Sequence, residues 1–110
     1  NHSHRRLVFL RDEPRMYNPN LHYVVRDAVD AVNAFLQEGK KVVVHCHGGR
    51  SRTALVLKAW YMEHENKTHD EAHEWLSDTW PHYETWNDSF WDYLENEWTA
   101  HLAGSQKENK

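Results

Sequence analysis

The run Val42-Val43-Val44-His45-Cys46-His47-Gly48-Gly49-Arg50-Ser51-Arg52-Thr53 constrains this chain more than any other stretch. A β-branched run that reads as a buried strand ends in the only cysteine. Two glycines follow, then an arginine six positions past the cysteine, then an apolar helix. A strand, a Gly- and Ser-rich turn and a helix in this order bring backbone N–H groups together on a tetrahedral oxyanion. Arg52 adds a planar, two-pronged fork. The same field favours a thiolate over a thiol at Cys46, which makes it a nucleophile. A merely structural cysteine would leave Gly48, Gly49, Arg50 and Arg52 without a role. The triplet His45-Cys46-His47 is not read as a metal site. Neighbours in an extended segment point to opposite faces, and there is no second cysteine.

At 110 residues the chain reads as one domain, and its six Trp, five Tyr and three Phe supply large buried area per residue. A net charge of −4 argues against nucleic acid or an anionic membrane as the partner. A single cysteine excludes an intramolecular disulfide and fits a reducing, cytoplasmic setting. Apolar runs are far shorter than the roughly 18 residues that cross a bilayer. The chain starts Asn1-His2-Ser3-His4 without a methionine, so we expect it to be a segment of something longer, with oligomeric state left open.

Arg6–Leu10 suits a short strand, followed by a loop marked by Pro14 and Pro19. Val25, Ala28, Val29, Val32, Phe35 and Leu36 recur at helical spacing between Leu21 and Gln37, and Gly39 ends that helix. Lys41 to His45 is the expected central strand. From Thr53 to about Glu65 the residues are apolar nearly all round, which places that helix at the centre of the domain. Thr68-His69-Asp70-Glu71 is a capping box for a helix reaching about Thr79, and Asn87 caps a last helix carrying Phe90, Trp91, Leu94 and Trp98. Residues 1–103 form the expected domain and 104–110 a polar, disordered tail. The pair His69 and His73, spaced like a zinc-protease motif, is better explained as a polar helix face beside its cap. Trp75, Trp91 and Trp98 sit at core spacing and are expected to pack.

His45-Cys46-(five residues)-Arg52-Thr53, with the preceding valines and the following Ala-Leu-Val-Leu, resembles the signature loop of the cysteine-dependent protein tyrosine phosphatase superfamily. The match is densest to its dual-specificity branch, of bacterial type. Trp80-Pro81, Asn87 and Phe90 extend the likeness, with Trp80 where arginine is common. The resemblance implies that Cys46 takes the phosphoryl group and that Arg52 binds two of its oxygens. Thr53 would help the thiolate leave, and His45 would support a low thiol pKa. His47, Gly48, Gly49, Arg50 and Ser51 would line the phosphate with Arg52. It also implies a general acid on a loop upstream of the cysteine. Asp12, 34 positions before Cys46, fits that place, with Glu13 as the substitute. No cofactor and no metal are implied.

The expected architecture is α/β, a small, mainly parallel sheet flanked by helices in the manner of these phosphatases, with some strands lying before residue 1. The expected function is hydrolysis of phosphate monoesters through a phosphocysteine. Its substrates would be phosphotyrosine, and phosphoserine or phosphothreonine, in proteins, or a small-molecule phosphate. Two alternatives stand beside it: a module acting on nucleotide- or ADP-ribose-linked phosphates, and a pseudophosphatase that binds phosphate without turnover.

Overall fold

The computed structural model describes residues 20–42, 51–81, 83, 85 and 87–108. Helix α1 spans Leu21–Gln37 and buries Val24, Val25, Ala28 and Val29, the apolar positions that recur every three or four residues. Its end is a Schellman closure. Gly39 N–H donates to Leu36 O at 3.0 Å and Lys40 N–H to Phe35 O at 3.1 Å, with Gly39 at φ +77°.

Helix α2, Ser51–His64, starts two residues earlier than the sequence pattern suggests and is the hub of the molecule. It packs on α1, on α3 (His69–Thr79) and on the C-terminal helices. Asn66, at φ 56°, takes the left-handed position after α2, and Lys67 N–H closes the end on Met62 O at 3.0 Å. The capping box of α3 forms as its sequence predicts. Glu71 N–H donates to Thr68 Oγ1 at 3.2 Å, and Thr68 N–H donates to Glu71 Oε1 at 2.9 Å.

The last segment is one continuous helical rod with a change of winding. Asn87 caps α4 (Asp88–Asp92), its Oδ1 accepting from Phe90 N–H at 3.1 Å. Tyr93–Trp98 is a π-helix, and α5 follows over Thr99–Glu108, so residues 104–108, expected from the sequence to be a polar tail, are helical. The sequence explains the π-helix. Phe90, Leu94 and Trp98 are all buried at four-residue intervals, and each such step overshoots an α-helical turn by about 40°. Widening the turn keeps all three on the core side.

Trp98 is fully buried, and its indole N–H donates to Ala59 O in the middle of α2 at 3.1 Å. Around it lie Val25 and Val29 of α1, Leu55 and Met62 of α2, and Leu94. Trp98→Ala should therefore lower unfolding free energy by about 3–5 kcal/mol in urea titration. A loss under about 1 kcal/mol would show that this ring does not organise the core.

This arrangement corrects the α/β expectation. The described residues are 81% helical and hold no strand and no sheet. Lys41 and Val42, the described start of the expected central strand, belong to no strand, while residues 6–10 and 43–45 lie outside the described residues. The physical reason is that a β-branched run signals extension and burial but does not supply a neighbour to pair with. Among the described residues the apolar faces pack helix against helix.

Candidate active site

Of the residues singled out in the sequence, Ser51, Arg52 and Thr53 lie among the described ones, and together they open α2. Asp12, Glu13, His45, Cys46, His47, Gly48, Gly49 and Arg50 lie outside them. Ser51 and Thr53 are buried, at 4% and 7% exposure, and Arg52 is half-buried with its Nε enclosed. The first turn of a helix leaves backbone N–H groups without intrahelical partners and carries the positive end of the dipole. No acidic side chain stands in the first turn of α2, whereas α3 fills its own with Asp70 and Glu71. An arginine side chain at such a start makes a site for an oxyanion.

A narrow crevice of about 10 Å³, room for roughly one water, opens beside that start. Ser51, Ala54, Leu55 and Lys58 form one wall, and Asn87, Phe90, Trp91 and Leu94 are among the residues of the other. Asn87 is buried and accepts a second hydrogen bond, from Ser89 Oγ at 2.7 Å, so its side chain is fixed by the helix it caps.

Sequence reasoning missed the polar network behind this crevice. Lys58 is only 5% exposed. Its Nζ lies 3.0 Å from His69 Nε2 and donates to Tyr83 Oη at 2.9 Å, with the Trp91 ring centroid 4.8 Å away. His69 Nδ1 meets Glu95 Oε1 at 2.8 Å, and His73 Nδ1 meets Tyr83 Oη at 2.8 Å. Burial pushes Lys58 down to about 8, opposed by Glu95. Burial and the Lys58 charge hold His69 below its ordinary value, and burial pushes the Tyr83 phenol up to about 12. One pattern satisfies every group at neutral pH. The Lys58 ammonium donates to neutral His69 and to Tyr83, His69 Nδ1–H donates to Glu95, and Tyr83 O–H donates to His73. A lysine interrupting an otherwise apolar helix was the available signal.

The zinc-protease-like spacing of His69 and His73 is thus taken up by hydrogen bonds, and no His/Cys/Asp/Glu cluster suited to a metal occurs among the described residues. The expected packing of the tryptophans is seen too. Trp75 stacks on Tyr61 at 4.2 Å, and Trp91 covers Lys58, His69 and His73.

Arg52 and Thr53 open the central helix, and Cys46 and a glycine pair precede them in the sequence. The sequence model of the dual specificity phosphatase catalytic domain matches residues 4–99, and the chain belongs to that family. It is also similar to a protein of Amsacta moorei entomopoxvirus assigned by its name to the tyrosine-protein phosphatases, 40% identical over 42 residues. That alignment takes in 38% of this chain and 26% of the relative. A Candida albicans protein named in the same way is 32% identical over 63 residues, 57% of this chain and 11% of the relative. The chain thus aligns with about a quarter or less of the length of these relatives. No solved structure matches it significantly. No described helix is long and apolar enough to cross a membrane.

Proposed function

We propose that this chain hydrolyses phosphate monoesters, phosphotyrosine and phosphoserine or phosphothreonine in proteins among them, through a covalent phosphocysteine at Cys46. The observation that carries the reading is the start of α2 at Ser51. It puts Arg52 and Thr53 in an acid-free first turn, inside a region matched by the phosphatase family.

The phosphate is seated by the N–H groups of His47 to Arg52 and by the Arg52 guanidinium, which gains most as charge builds on the equatorial oxygens. The Cys46 thiolate attacks phosphorus in line, an S–P bond forms and the P–O bond to the leaving group breaks. The leaving oxygen takes the proton of the Asp12 carboxylic acid, or of Glu13 in its place. Water then attacks phosphorus and gives its proton to the same carboxylate. The S–P bond breaks, and the returning thiolate accepts a hydrogen bond from the Thr53 hydroxyl. His45 supports the thiolate from behind the loop. Charge is handled by dipoles and arginine, so the reaction calls on no metal, and we place it in the cytoplasm, where the thiol stays reduced.

The test is steady-state turnover of an aryl phosphate, a phosphotyrosine peptide, a phosphoserine peptide and ADP-ribose phosphate, each with and without a chelator. The reading expects hydrolysis of the aryl phosphate and the phosphotyrosine peptide, unaffected by the chelator. Loss of activity with chelator would overturn the mechanism. Turnover confined to ADP-ribose phosphate would overturn the substrate class, and phosphate binding without turnover would make the chain a binding module.

A further inference from the structure

The buried cation on α2 has no part in the reaction as just written, yet it shares a crevice with the start of the helix. Ser51, Leu55 and Lys58 lie on one face of α2, at intervals of four and three residues. Helical side chains lean toward the helix N-terminus, so the Lys58 ammonium is carried back toward Ser51. Ser51 Oγ on the same wall is buried and makes no hydrogen bond among the described residues. An ammonium in this position is expensive to bury, and a Met would fill the volume without that cost. The network also keeps the balancing carboxylate at a distance. Glu95 contacts His69 rather than Lys58, and the described hydrogen bonds of Lys58 go to the neutral groups His69 and Tyr83. The positive charge is therefore offset but not cancelled, in surroundings that screen it poorly.

We propose that Lys58 is a positioning residue for the phosphate site, its buried ammonium adding fixed positive potential at Ser51, Arg52 and Thr53 and so tightening the grip on a phosphoryl dianion. This rests on the reading of Cys46 to Thr53 as that site. The groups around Lys58 are His69 and His73 on α3, Tyr83 in the following loop and Glu95 in the π-helix. Asp70 lies next to His69, and Arg52 is on earlier turns of α2. Lys58 holds its proton below about pH 8 and loses it above, so the added potential is present at neutral pH and disappears as pH rises. Burial and the Lys58 charge hold His69 below its ordinary value, and burial keeps Tyr83 a phenol across that range.

The test is calorimetric titration of tungstate, a phosphate-like dianion, into the Cys46→Ser protein, in which no thiolate titrates. Affinity should fall by about five- to tenfold from about pH 7 to about pH 9, the scale of one partly screened charge lost near a dianion. Lys58→Arg should keep the tight binding and abolish the pH step. Lys58→Met should bind weakly at both pH values, with folding checked by circular dichroism. If Lys58→Met does not fold, Lys58→Arg decides alone, because a purely structural lysine would leave the step in place. A pH step that survives in Lys58→Arg overturns the inference. Absence of tungstate binding, or binding indifferent to Arg52→Met, removes the phosphate site itself and the inference with it.

Discussion

Changing Cys46 to Ser should reduce turnover of an aryl phosphate by about 10⁴-fold or more while the protein still binds tungstate. A thiol among converging backbone N–H groups and an arginine is readily ionised, whereas an alcohol remains protonated at neutral pH and attacks phosphorus poorly. Folding should be unaffected, because the change replaces one sulfur by an oxygen, and circular dichroism checks it. Retention of full activity in the Ser variant would assign the chemistry to another group. Binding and turnover must be measured on the same preparation, since the two are expected to separate.

Arg52→Lys should lower kcat by about 10²- to 10³-fold, with a smaller rise in KM. The substitution keeps the charge but removes the planar fork, so two parallel hydrogen bonds to phosphoryl oxygens become one flexible contact. Those bonds strengthen as the equatorial oxygens gain charge, which is why the effect should fall mainly on kcat. Arg52 is half-buried with its Nε enclosed in the first turn of α2, so its approach to the anion is set by the helix. An equal loss in Lys and Met variants would support the geometric argument. Near-normal kcat in the Lys variant would reduce Arg52 to a simple counter-charge.

The helices were legible in the sequence because their signals are local. The apolar spacing over Leu21–Gln37, the glycine closing α1, the Thr68/Glu71 box and the Asn87 cap all appear where the pattern puts them. The sheet was a different matter. Its evidence was two short apolar runs, and pairing is a long-range property that such runs do not contain, so the α/β expectation gave way to a helical unit. The π-helix went unread because a run of four-residue intervals looks like an ordinary amphipathic helix until the drift of its buried face is followed. Lys58 was hidden by its neighbours. In a helix with Ala54, Leu55, Val56 and Ala59 around it, one lysine reads as a solvent-facing interruption, and only the convergence of His69, Tyr83 and Trp91 turns it inward.

The spacing of Cys46 and Arg52 made the family legible, and the family match over residues 4–99 bears the family out. Substrate choice was not legible, because the walls of a pocket come from segments distant in sequence. Acid quenching during turnover of a phosphopeptide, followed by mass spectrometry of the Cys46 peptide, is the most direct measurement of the central claim. The account predicts one added phosphoryl group on Cys46 during turnover by the native chain, and none in Cys46→Ser. Turnover with no phosphorylated Cys46 under these conditions, or a phosphoryl group carried by another residue, would contradict it.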